Sequence, residues 1–167
     1  YGGNEYSFAR DQGLDINVAR QFVADYNRVM SGAVAWKAAQ LKSVLEKGYT
    51  ETVFGRRRRF PFVTSENMDE VRKAAVNAPL QSTASDLTLL AALRAMDEGI
   101  TVIHLVHDSI IALAPVEQAE AVGARLQSLM KGVGEQWLPT VPWKVDVETG
   151  QRWVEPPNLS RTAPSST

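Results

Sequence analysis

The sequence predicts an α+β fold, with an antiparallel sheet of three or four strands covered by helices. Three observations carry this. Apolar residues recur at three- and four-residue spacing over long stretches. Between those stretches lie short runs rich in β-branched and aromatic residues. Two such runs are separated by only His107-Asp108-Ser109, the length of a tight hairpin connection. The chain has 167 residues, 44% of them hydrophobic and 22% charged, a globular balance that suits one domain or a domain with an appendage.

The elements follow in order. Tyr1 to Gly13 is Gly-rich and aromatic, with a weak helical pattern. Val18, Phe22, Tyr26, Val29 and Met30 form a helical stripe after Asp15, a residue suited to the N-cap. A second stripe, Val34, Ala38, Leu41, Val44 and Leu45, stops at Gly48, a residue suited to a left-handed cap. Tyr49 to Phe54 reads as a strand, with Gly55 and the arginines as its exit. Ser65, Met68 and Asp69 start a helix that Pro79 should bend or restart, since proline removes a backbone donor. Its second half carries Leu87, Leu90, Ala91 and Leu93 on one side. Ile100 to Val106 and Ile110 to Leu113 are the hairpin strands. Pro115 opens a helix through Met130, and Trp143 to Val147 alternates as a last strand.

Composition excludes several classes. There are no cysteines, so disulfide staples and thiolate metal sites are out, which fits a reducing, cytoplasmic setting. No apolar run approaches the ~20 residues needed to cross a bilayer, so no membrane partner is expected, and the N-terminus does not read as a signal peptide. With 18 basic against 19 acidic side chains the net charge is −1, so any nucleic-acid surface must be a local patch.

The run Arg56-Arg57-Arg58-Arg59 is such a patch. It reads either as a solvated loop or as guanidiniums that fork onto backbone phosphates. Asp108 also reads two ways: as a turn residue bonding nearby backbone, or as a carboxylate held rigidly at a hairpin tip for a divalent ion. His107 beside it is either a turn residue or a contact to phosphate or sugar. Asn77 and Gln81 are four apart, so on a helix they share a face. Each offers a donor and an acceptor, suited to helix capping or to the minor-groove edges of base pairs. Trp36, Trp137, Trp143 and Trp153 are scattered and read as core.

The order of these segments resembles the C-terminal part of the A-family DNA polymerases, the DNA polymerase I group. Tyr1-Gly2 is similar to the end of the family's fingers motif. The stretch Gly48 to Arg58, Gly-Tyr-Thr-Glu-Thr-Val-Phe-Gly-Arg-Arg-Arg, is similar to the family's Gly-Tyr-x-Glu-Thr-x-x-Gly-Arg-Arg segment. Asn77-Ala78-Pro79-Leu80-Gln81-Ser82-Thr83-Ala84-Ser85-Asp86 resembles its Asn-x-Pro-x-Gln-Gly-Thr-Ala-Ala-Asp helix. Val106-His107-Asp108 resembles the palm hairpin motif Val-His-Asp-Glu, and Val145 to Trp153 resembles the family's final strand.

The resemblance implies a helical end of the fingers over 1–48, a palm over 49–155 built on an antiparallel sheet with a catalytic hairpin, and a disordered tail over 156–167. It implies nucleotidyl transfer from a dNTP to a primer 3′-hydroxyl, with two Mg²⁺ ions in the complete site. Asp108 would be one of two metal-binding aspartates, His107 would sit against the primer terminus, and Ser109 would hydrogen-bond a water on the metal. Asn77 and Gln81 would probe the minor groove of primer–template DNA, with Arg56 and Lys73 near its backbone and Tyr1 beside the nascent pair. Two departures stand out: Ser109 where most of the family has Glu, and Ser82 in place of Gly. The other catalytic Asp and the Lys and Arg that clamp the triphosphate precede the matched region in the family. They imply an N-terminal polymerase fragment as partner, in a split or truncated enzyme of bacterial or phage type, and an isolated chain without activity. Two rival readings are a non-catalytic DNA-binding palm module and a fragment of a single-subunit RNA polymerase, the latter suggested by His-Asp-Ser.

Overall fold

The computed structural model describes residues 5–152. Helices α1 (Glu5–Gln12), α2 (Ile16–Val29) and α3 (Ser31–Lys47) lead into strands β1 (Tyr49–Glu51) and β2 (Arg57–Arg59). Helix α4 (Met68–Asp97) follows, then β3 (Thr101–Val106), β4 (Ser109–Leu113), a short 3₁₀ turn (Val116–Gln118) and α5 (Ala119–Trp137). The class is α+β as expected. Among the described residues, however, the strands form two separate two-stranded ladders rather than one sheet of three or four. The chain divides into two compact units, one holding the residues up to Leu90 with Leu105–Ser109, the other Ala91–His104 and the residues from Ile110 onward.

In the first unit, α1 is a helix although its sequence pattern is weak. Tertiary contact supplies what periodicity lacks: Phe8 stacks on Phe22 of α2 with ring centroids 4.9 Å apart. Asp15 caps α2, its carboxylate accepting from the Asn17 amide at 2.8 Å. The apolar stripe of α2 remains largely uncovered, Phe22 being 56% and Val29 71% exposed. Gly48 closes α3 at φ 77°, where a Cβ would be strained. Ser43 then donates to the Tyr49 carbonyl at 2.9 Å, tying the helix to β1. Val44, Val71 and Ala75 form a small core, with Leu41, Phe60 and Val63 packed against it.

The strand expected from Tyr49 to Phe54 ends early, at Glu51. Thr52 turns the chain instead: its hydroxyl accepts from the Phe54 and Arg56 amides, both at 3.2 Å, and its carbonyl accepts from Gly55. The arginines are consequently not a simple exit. Arg57, Arg58 and Arg59 pair antiparallel with Glu51, Thr50 and Tyr49 respectively.

Helix α4 begins after an interlocked pair, in which Asn67 Oδ1 accepts from the Thr64 amide at 2.9 Å and Asn67 donates to the Phe62 carbonyl at 3.1 Å. The restart expected at Pro79 does not occur, and α4 is assigned continuously through it. A proline inside a helix costs about 3 kcal/mol. Ala78 and Pro79 are both buried, so packing acts against that cost.

In the second unit, Gly99 at φ 81° ends α4, with the Gly99 amide bonded to the Met96 carbonyl and the Ile100 amide to that of Ala95. This double closure satisfies the last carbonyls of the helix. Helix α5 starts later and ends later than expected, after the 3₁₀ turn at Val116–Gln118. The last strand expected at Trp143–Val147 forms no ladder among the described residues. That segment is held to α5 instead. Gln127 donates to the Val145 carbonyl at 2.6 Å, and the Trp143 ring lies where a Cβ on Gly134 would fall 2.4 Å away. The calls on Tyr1, Trp153 and the tail over 156–167 lie outside the described residues.

Two predictions follow from the second unit. Gly134→Ala forces a methyl into the Trp143 ring and should destabilise the chain by about 1–3 kcal/mol, read by thermal or urea unfolding. The hydrogen bond from Arg125 holds the Glu98 carboxyl below the usual carboxylate range. A carboxyl depressed in the folded state favours folding above its unfolded pKa, and that contribution is lost as pH falls through the folded value. Thermal melts from pH 7 to pH 3 should therefore show an acid loss of stability that Glu98→Gln reduces.

Candidate functional site

The site is assembled on α4 within the first unit. A 3.6-residue repeat places Lys73, Asn77, Gln81, Ser85 and Thr88 along one side of the helix. Gln81, Ala84, Ser85, Thr88 and Leu89 line an open cleft of about 680 Å³ whose other lining residues are Leu105, His107 and Asp108. The volume lies in the range of about 300–1,000 Å³ usual for small-molecule sites. The fold thus brings the helix face and the hairpin tip, some two dozen residues apart in sequence, to one cleft.

The hairpin is tighter than expected, because Ser109 already belongs to β4 and only His107 and Asp108 make the turn. His107 sits at φ 53°, the sole non-glycine with positive φ among the described residues. That conformation is left-handed and disfavoured for a side chain with a Cβ. Both His107 and Asp108 are exposed, so the carboxylate is presented rather than satisfied by burial. Among the described residues no group of three or more His, Cys, Asp or Glu side chains could hold a metal, so Asp108 stands as a single carboxylate. Ser109 is exposed and does not line the cleft.

The other expected residues are placed as follows. Asn77 is half-buried one turn before Gln81 and lies outside the cleft lining, and Lys73 is exposed one turn earlier still. Arg56 lies toward a different side of α4, ion-paired with Asp86, whose side chain is 10% exposed. The second carboxylate oxygen of Asp86 is buried without a partner among the described residues. Arg57 pairs with Glu51 and lies 4.5 Å over the Tyr49 ring, and that Glu51 hydrogen bond raises its pKa. Arg58 lies 5.5 Å over the Phe60 ring. Sequence reasoning passed over Ser85, Thr88 and Asp86. Their signal was present, since Ser85 and Thr88 follow Gln81 at helical spacing and Asp86 follows Ser82 by four.

Replacing His107 with glycine should relieve the turn. His107→Gly is expected to raise stability by about 0.5 kcal/mol, the left-handed penalty outweighing the added chain entropy, as a higher unfolding midpoint.

The sequence pattern of DNA polymerase family A matches residues 1–155. The chain is 32% identical over 162 residues to the thermostable DNA polymerase I of Thermus thermophilus, covering 92% of this chain and 19% of that protein. It is 28% identical over 165 residues to DNA polymerase I of Lactococcus lactis subsp. cremoris, covering 93% of this chain and 18% of that one. The chain therefore spans about a fifth of the length of these relatives. Among solved structures, the POL domain of Pol1 from M. smegmatis, in complex with DNA primer-template and dNTP, is similar with a TM-score of 0.68 at 21% identity. That likeness covers 78% of this chain and 24% of the other, and shows a shared fold. No helix among the described residues is long and apolar enough to cross a membrane. On the family match, this chain belongs to DNA polymerase family A.

Proposed function

We propose that this chain is the fingers-end and palm portion of a template-directed DNA polymerase, residues 1–48 and 49–155 respectively, working in the cytoplasm with an upstream polymerase portion. The observation that carries the reading is the single cleft shared by Gln81, Ser85 and Thr88 of α4 with His107 and Asp108 of the hairpin tip. Family membership supports the reaction class.

The primer 3′-hydroxyl attacks the α-phosphorus of a dNTP, the new phosphodiester forms, and pyrophosphate leaves. Asp108 offers a hard, exposed carboxylate on a two-residue turn, which fits one ligand of a Mg²⁺ site. Mg²⁺, when bound, lowers the pKa of the attacking hydroxyl and neutralises charge that develops on the phosphates. The second Asp and the triphosphate-binding Lys and Arg come from the upstream portion. Within this chain, His107 would position the primer terminus, and Ser109 would offer a hydroxyl to a water on the metal without adding charge. Gln81 and Asn77 donate to minor-groove acceptors that every Watson–Crick pair presents, so they sense pair geometry rather than sequence. Lys73 and Arg56 lie near the DNA backbone.

Primer extension tests this. The isolated chain should incorporate no nucleotide, since one carboxylate cannot assemble the two-metal site, and extension by the pure chain would sink the proposal. Combined with the upstream portion it should extend a primer in a Mg²⁺-dependent way. Asp108→Asn should then lower the rate at least about a hundredfold. Gln81→Ala should cost about tenfold, the equivalent of one hydrogen bond.

A further inference from the structure

We propose that Asp86 is a positioning residue: through its ion pair with Arg56 it sets the rotation of α4 that presents Gln81 to the terminal base pair. The inference rests on the polymerase reading above and deepens it, adding a residue that acts through α4 rather than by touching DNA or nucleotide. Asp86 lies five residues beyond Gln81, roughly 140° around the helix on a 3.6-residue repeat. The hairpin cleft is lined by Gln81 but by neither Asp86 nor Arg56.

The cation of the pair has a rigid base. The Arg56 amide donates to the Thr52 hydroxyl at 3.2 Å, and the Arg56 carbonyl accepts from the Thr52 amide at 2.9 Å. Thr52 is itself buried, and the next residue, Arg57, already pairs with Glu51 in the ladder. Arg56 therefore cannot shift without carrying the β1–β2 turn with it. Its guanidinium meets a carboxylate thirty residues further along the chain, and so joins the turn to α4.

Stability alone does not account for that carboxylate. Asp86 is 10% exposed, one oxygen lies on Arg56, and the other is buried without a partner among the described residues. A buried charge satisfied on one side only contributes little net stability, and the best-attested use of such a pair is to fix register. Here register is at risk. Pro79 has no amide to donate to the Ala75 carbonyl, so α4 lacks one rung in its middle. Before the proline, Val71 and Ala75 pack with Val44 of α3. Beyond it, Asp86 takes Arg56. Gln81 stands between these two grips, and a hydrogen bond from its amide to a minor-groove acceptor weakens steeply with angle. A small rotation of the helix there is felt as rate at the primer terminus.

The test uses the polymerase assembled from the full chain and its upstream portion, as parent, Asp86→Asn, Gln81→Ala and the double variant. Extension is timed from a matched and from a mispaired primer terminus, with duplex affinity and thermal melts alongside. Asp86→Asn should slow matched extension about three- to tenfold, the loss of most of one hydrogen bond. Mispaired extension should slow far less, because a mispair already lacks the geometry that Gln81 senses, so the matched-to-mispaired ratio narrows. In the Gln81→Ala background Asp86→Asn should add no further loss, since both changes remove the same contact. Duplex affinity should hold or tighten, because Arg56 is released. Equal slowing of matched and mispaired extension with a lower melting midpoint makes Asp86 merely structural and overturns the proposal. Losses that multiply in the double variant also overturn it, while the effect of Gln81→Ala alone keeps the cleft reading standing. Should Asp86→Asn fail to fold, Arg56→Lys decides, since the ammonium keeps the charge and lacks the planar fork. A parent-like ratio in that variant overturns the proposal, and a narrowed one upholds it. If Gln81→Ala itself leaves extension unchanged, the cleft reading falls and the proposal with it.

Discussion

The constraint on which the first unit depends is the continuity of α4 through Pro79. An interrupted helix would rotate everything beyond the break by an unspecified angle. An unbroken one fixes the angular relation of Asn77 and Gln81 to Ser82 and Asp86. On a 3.6-residue repeat those two sets lie roughly a third of a turn apart. Gln81 of the first set lines the cleft shared with the hairpin tip, while Ser82 and Asp86 face the arginine-bearing segment. The proline ring is itself part of that second contact, buried beside Ala78. The residue that weakens the helix locally is therefore itself part of the packing around it.

The turn at Thr52 plays the corresponding part for the arginines. One hydroxyl accepts two backbone amides, and Gly55 at φ 80° lets the chain reverse within four residues. Four consecutive cations are thereby sorted rather than displayed together. Arg56 is spent on Asp86 and Arg57 on Glu51, while Arg58 stacks on Phe60. Two of the four cations are therefore paired with carboxylates, so the patch carries less net charge in space than the run suggests.

At the hairpin the economy is different. A two-residue connection keeps the Asp108 carboxylate rigid, since few backbone torsions separate it from paired strands. The strain falls on His107, whose backbone lies in a region that glycine would occupy freely. A glycine there would relax the turn and remove an imidazole from the cleft lining.

Much of this was legible in the sequence, and the division is physical. Local rules read correctly wherever a short-range interaction decides. The Asp15 cap, the Gly48 stop, the stripes of α2 and α3 and the hairpin all depend on contacts within a few residues. The motif order was equally local, and it carried the family assignment. Tertiary structure alone decided the rest. It made a helix of Glu5–Gln12 through Phe8 and Phe22, and kept α4 continuous across Pro79. It folded the arginines into a strand, and left Trp143–Val147 docked on α5 instead of paired in a sheet. Each of these turns on a contact with a residue outside the segment itself, and propensity or periodicity within one segment carries no record of such a partner.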